Sequence, residues 1–107
     1  MNPFDMDVQV HGDTATVSLR GELDVASAPE LRDEIVRLVS EGKTRIVFEC
    51  GGLDFIDSTG LGVLIGARAR CLAANGTVEL AGVRAALQRL LAVTGIDGLF
   101  PERTSAA

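Results

Sequence analysis

The stretch that decides the fold is 45-RIVFECGGLDFIDSTGLGVLI-65. Arg45-Ile46-Val47-Phe48 opens it with a short continuous apolar run, as a strand buried on both faces requires. Gly51-Gly52 reads as a glycine-rich turn. Leu53, Phe55 and Ile56 follow, and a helix starts at Ser58–Thr59. Its apolar face carries Leu61, Leu64, Ile65 and Leu72. Asn75-Gly76 is a C-terminal stop signal for that helix.

Working outward, residues 5–11 alternate. Met6, Val8 and Val10 face one way, and Asp5, Asp7, Gln9 and His11 the other. Residues 14–20 repeat the pattern, with Ala15, Val17 and Leu19 inward. Gly12-Asp13 between them predicts a type II′ hairpin turn, because glycine accepts the positive φ. Ser27-Ala28-Pro29-Glu30 has the form of a capping box with proline in the first turn. Ala28, Leu31, Ile35, Leu38 and Val39 then share a helical face, and Gly42 ends that helix. Val78 and Leu80 predict a further short strand. Val83, Leu87, Leu90, Leu91 and Thr94 predict a third helix closed by Gly95.

The order is strand, strand, helix, strand, helix, strand, helix. Such alternation implies an α/β domain with a mainly parallel sheet and an antiparallel hairpin at its edge. The 107 residues amount to one domain, with a core at about 5–100 and a flexible tail over 101–107. Four Phe and no Trp or Tyr leave an aliphatic core.

Ten basic and fifteen acidic residues give a net charge of −5. That balance excludes a general nucleic-acid binder, which needs a basic face. It also argues against an anionic membrane surface. Leu61 to Ala67 is far too short to span a membrane. Cys50 and Cys71 lack CxxC spacing, and no export signal precedes them. Both are expected as free thiols in the cytoplasm.

Enzyme and metal readings find little support. His11 is the only histidine and faces outward beside a turn. No histidine or cysteine cluster offers metal-ligand spacing, and no nucleophile elbow is present. Neither a metal nor a cofactor is expected. Gly60-Leu61-Gly62-Val63-Leu64-Ile65-Gly66 approaches a dinucleotide fingerprint but is one residue too long. Glu79 lies near the distance of a ribose-binding acid. Close helix packing by small residues accounts for the same glycines.

The most informative segment is Phe55-Ile56-Asp57-Ser58-Thr59-Gly60-Leu61-Gly62. On position alone, Ser58 is an N-cap. A phosphate there would also meet free N–H groups and the positive end of the helix dipole.

Four blocks resemble one family: Gly21-Glu22-Leu23-Asp24, Phe55–Leu64, Asn75-Gly76 to Gly82-Val83, and Thr94-Gly95-Ile96-Asp97. Together they are similar to a STAS domain of the bacterial anti-sigma factor antagonist type, from about Val8 to Phe100. The resemblance implies a sheet of four or five strands with helices. It implies an anti-sigma factor serine kinase as partner, which the unphosphorylated protein binds to free a sigma factor. Phosphorylation of Ser58 then separates the pair, and a serine phosphatase resets it.

By the same resemblance, Asp57 orients the hydroxyl or binds the kinase. Thr59, Gly60 and Gly62 shape the contact surface. Asp24 contacts the partner; its own local chemistry is equally that of an acid capping its loop. Thr59 is a second, less favoured phosphoacceptor. Glu49 and Cys50 depart from the Asp and Leu common in the family, and the longer carboxylate is expected to alter the geometry around Ser58. Two other readings stand beside this one: a cytosolic STAS subunit of a phospholipid-trafficking ABC transporter, and a small-nucleotide sensor using Gly60–Gly66.

Overall fold

The computed structural model describes residues 2–103. It contains β1 (Asp5–His11), β2 (Thr14–Leu23), α1 (Ala28–Ser40), β3 (Arg45–Ile56), α2 (Ser58–Ala73), β4 (Thr77–Ala81), α3 (Ala85–Val93), a 3₁₀ turn (Asp97–Leu99) and β5 (Glu102–Arg103). One five-stranded sheet runs in the order β1-β2-β3-β4-β5. Among these strands, only β1 and β2 are antiparallel; the remaining neighbours are parallel. This is the mixed α/β sheet with an edge hairpin that the alternation implied.

The hairpin closes where the sequence placed it. His11 pairs with Thr14, and Gly12 takes φ +64° as a two-residue turn requires. On β2, Ala15, Val17, Leu19 and Leu23 are buried while Thr14, Thr16, Ser18 and Arg20 are only partly covered. Ile46, Val47 and Phe48 of β3 are all buried. Phe48 sits in a core cluster shared with Leu31 and Ile35 of α1, Leu64 and Cys71 of α2, and Leu87 and Leu91 of α3.

Four local expectations change. Gly51-Gly52 is no turn: β3 continues through it to Ile56. The register against β2 slips there and again beside Asp54, so two irregularities bend the strand instead of ending it. Gly21-Glu22-Leu23 likewise belongs to β2, and the loop begins only at Asp24. Gly21 carries φ +81°, and a Cβ on it would lie 2.1 Å from the Pro3 carbonyl oxygen. Leu72 is exposed; Ala67 and Cys71 fill the face of α2 assigned to it. Finally, the segment assigned to a tail opens with β5, which pairs with Leu80 and Ala81 of β4. Its residues 104–107 lie outside the described residues.

The α2 stop follows the sequence signal. Asn75 adopts φ +61°, and the Gly76 N–H returns to the Cys71 carbonyl at 2.7 Å. Gly76 then lies against Thr44, whose carbonyl oxygen is 1.8 Å from where a Cβ would stand. Cys50 and Cys71 are both buried free thiols.

Candidate functional site

The site lies where β3 hands the chain to α2. Asp57 has extended backbone (φ −104°, ψ −176°) and is the N-cap of α2. Its Oδ1 accepts the Gly60 N–H at 2.9 Å. The expectation that Ser58 caps this helix is therefore corrected: Ser58 is the first helical residue, one place beyond the cap. Aspartate serves as well as serine at an N-cap. Ser58 and Thr59 are exposed, and Asp57 is half-buried. Their N–H groups belong to the first turn, which has no intrahelical acceptors.

Asp57 does more than cap. Its Oδ2 accepts the Val25 N–H at 3.2 Å, and its own N–H donates to the Leu23 carbonyl at 3.2 Å. One carboxylate thus fastens the β2–α1 loop to the start of α2. Gly60 makes this approach possible, since a Cβ there would stand 2.7 Å from the Leu23 carbonyl oxygen. The close-packing reading of the glycines holds at Gly60 alone. Gly62 and Gly66 face open space, and a methyl group placed on either would meet nothing within 4 Å. Both lie inside α2 rather than in a phosphate-cradling loop, so the Gly60–Gly66 run lacks the turn that a dinucleotide fingerprint needs.

Asp24 faces its own loop. Its Oδ1 accepts the Ala26 N–H at 3.0 Å and the Ser27 N–H at 3.1 Å, and stands 3.0 Å from the Ser27 hydroxyl. Those bonds, from the Ser27 N–H and hydroxyl first, hold its carboxyl below the ordinary aspartate range. They also explain why the capping box on α1 does not form. Ser27 is the N-cap residue, yet its hydroxyl is engaged with Asp24 and with the Glu22 carbonyl at 3.0 Å. Of the predicted site residues, Asp57, Ser58, Thr59, Gly60 and Gly62 gather at one helix start. Asp24 joins them through the loop that Asp57 holds.

Glu49 acts elsewhere. Its Oε1 accepts the Gly51 N–H at 2.9 Å, and a Cβ on Gly82 (φ +62°) would stand 2.1 Å from the same oxygen. Its direct contacts are with the β3 bend and the β4–α3 turn, not with Ser58.

Two residues were missed as site members. Val25 is 69% exposed and Phe55 50% exposed. Val25 is bonded to Asp57 across the loop, and Phe55 precedes Asp57 by two residues on β3. In the sequence, Phe55 looks like one more apolar residue of its strand. The irregularity at Asp54 is what leaves it outward, and no local pattern announces that. Among the described residues, no group of three or more His, Cys, Asp or Glu is arranged to hold a metal ion. No helix there is long and apolar enough to cross a membrane.

A mainly parallel sheet with an edge hairpin, and an exposed serine opening the helix that follows its central strand, define a small α/β domain. Residues 6–101 match the family described as "Mlab, STAS domain", and the chain belongs to the STAS-domain family. It is similar to the anti-sigma-B factor antagonist of Bacillus subtilis, with 34% identity over 98 residues, 91% of this chain and 88% of that protein. Among solved structures, it resembles an anti-sigma factor antagonist from Mycobacterium paratuberculosis. That match has TM-score 0.82 and 26% identity and covers 94% of this chain and 85% of that one. The fold is also that of the Bacillus cell fate determinant SpoIIAA, solved in its phosphorylated form. There the TM-score is 0.76 at 24% identity, covering 96% of this chain and 93% of that one.

Proposed function

We propose that this protein is an anti-sigma factor antagonist that works by partner switching. The observation that carries the reading is Ser58: an exposed hydroxyl on the first turn of α2, next to a capping Asp57 and near exposed Val25 and Phe55. The likeness to anti-sigma-B factor antagonists supports the same reading. In its unphosphorylated form the protein binds an anti-sigma factor serine kinase through this end of the sheet and releases the sigma factor. Val25 and Phe55 supply apolar contact, and Ser58 comes within reach of the kinase's nucleotide.

Phosphorylation of Ser58 adds about −1.5 to −2 charges at neutral pH. The new charge cannot take the Gly60 N–H, because Asp57 already holds it. It stands beside the Asp57 carboxylate, with the Ser58 and Thr59 N–H groups of the first turn left to offset part of the repulsion. An unpaired charge enclosed in the interface costs about 3–5 kcal/mol. That weakens the complex by roughly 10²- to 10⁴-fold. Local repulsion and desolvation suffice, with no rearrangement of the fold. A serine phosphatase restores binding, and the exchange takes place in the cytoplasm.

The test is a pull-down from source-cell lysate with wild type and Ser58→Asp, followed by mass spectrometry and by phosphosite mapping with ATP. Recovery of a small serine kinase by wild type alone, with phosphate on Ser58 rather than Thr59, is the expected result. Equal binding of that kinase by both proteins would refute the switch. Recovery of an ATPase and permease by both would move the assignment to a transporter subunit, with Ser58 serving only the helix start.

A further inference from the structure

Between the end of β3 and the start of α3 runs a groove of about 240 Å³. Leu53, Phe55, Leu87 and Leu90 line it, together with the buried Cys50. Burial, reinforced by the charge of Glu49, pushes the Cys50 thiol up to about 12, so it stays neutral. The floor is therefore apolar, and charge enters the lining only at Asp54 and Arg84. Among the described residues, Arg84 is the one cation in the lining.

That guanidinium is underused. Its side chain is 57% exposed, and Nη2 stands 3.9 Å from Asp54 Oδ1. Nη1 donates to the Gly51 carbonyl at a long 3.3 Å. Asp54 is served better on its other oxygen, where the Asn2 amide donates at 2.7 Å. Arginine carries five donors in a fork that matches a carboxylate. An apolar cleft with such a fork at its rim suits an anion with an apolar body.

We propose that this groove binds a medium-chain aliphatic carboxylate. Its chain lies against Leu53, Phe55, Leu87 and Leu90, and its carboxylate pairs with Arg84. The volume is under the roughly 300–1,000 Å³ of drug-sized sites, which limits the chain length. Asp54 opposes the incoming anion and keeps the affinity modest. None of these contacts involves Ser58, and only Phe55 is shared with the proposed kinase-contact surface, so the isolated chain can bind the carboxylate whether or not partner switching operates.

The test titrates octanoate, and separately 1-octanol, into the ¹⁵N-labelled full chain at neutral pH. Octanoate should give saturable amide shifts confined to residues 53–56 and 84–90. Arg84→Gln should weaken octanoate roughly 10- to 100-fold, the range of a hydrogen bond to a charged group, and leave octanol unchanged. Asp54→Asn should tighten octanoate. Arg84 is exposed, so its variant keeps the fold, and an unaltered spectrum of the free variant checks this. The absence of saturable shifts at millimolar octanoate would overturn the proposal. So would shifts centred elsewhere, or an Arg84→Gln variant that binds octanoate as wild type does.

Discussion

Replacing Asp57 with alanine removes two hydrogen bonds with one side chain. The first caps α2 through the Gly60 N–H at 2.9 Å; the second holds the Val25 N–H at 3.2 Å. Loss of an N-cap costs about 1 kcal/mol, within a range of about 0.5–2. The longer second bond adds about 0.5–1 kcal/mol. The sum, about 1–3 kcal/mol, lowers Tm by roughly 4–12 °C for a domain of this size. Urea unfolding followed by circular dichroism at pH 7 gives the free energy directly. Two further variants locate the effect. Asp57→Asn keeps a side-chain oxygen for Gly60 and should recover most of the loss. Ser58→Ala should fall within about 0.5 kcal/mol of wild type, as an exposed substitution away from any cap does. If Ser58→Ala proved as damaging as Asp57→Ala, or if Asp57→Ala were neutral, Asp57 would not be the cap and the reasoning would fail.

Gly66→Ala should stabilise the protein by about 0.4–1 kcal/mol, since the site is helical and open. Gly62→Ala should do the same while weakening kinase binding in the pull-down, because its new methyl projects from the proposed contact surface. Gly76→Ala should be strongly destabilising in the same urea assay. Its Cβ would press on the Thr44 backbone at 1.8 Å, and both segments are held by neighbouring strands. The Asp24 loop should respond to acid. Its carboxyl is depressed in the folded state, so its bonds are fully present above the ordinary value of about 3.9 and are lost as pH falls through the lower folded value. The Ala26 and Ser27 amide resonances should therefore hold steady from neutral pH to about 5 and titrate only below about 3.9. A midpoint above that value would contradict the Asp24–Ser27 geometry.

Much of the fold is legible in one dimension. Alternation at Ala15, Val17 and Leu19, and helical spacing at Leu31, Ile35 and Leu38, each report which face is buried, because burial repeats with the local backbone period. Gly12-Asp13 sets the hairpin register, and Asn75-Gly76 ends α2, since both depend on φ values within a few residues. The helix start that carries the candidate site was legible in the same way. The Asp57–Gly62 stretch stands at a strand-to-helix junction, and its residues did gather at one helix start.

What the sequence left open involves choices between partners. The sequence puts caps at Ser27 for α1 and at Ser58 for α2. Asp24 claimed the Ser27 hydroxyl from within its own loop, and Asp57 took the Gly60 N–H. Asp57 also reached Val25, 32 residues away, which no local pattern encodes. The reading of Gly51-Gly52 as a turn failed for a related reason. Glycine frees the backbone to turn or to bend within a strand, and pairing with β2, which continues through Gly52 to Ile56, decided for the strand. The outward position of Phe55 follows from that pairing slip. Period and propensity are properties of neighbouring residues, so the sequence by itself determined the elements, their buried faces and the place of the serine. Which atom satisfies which donor, and which apolar side chain is left facing water, depend on segments distant in the chain, and only the tertiary structure decided them.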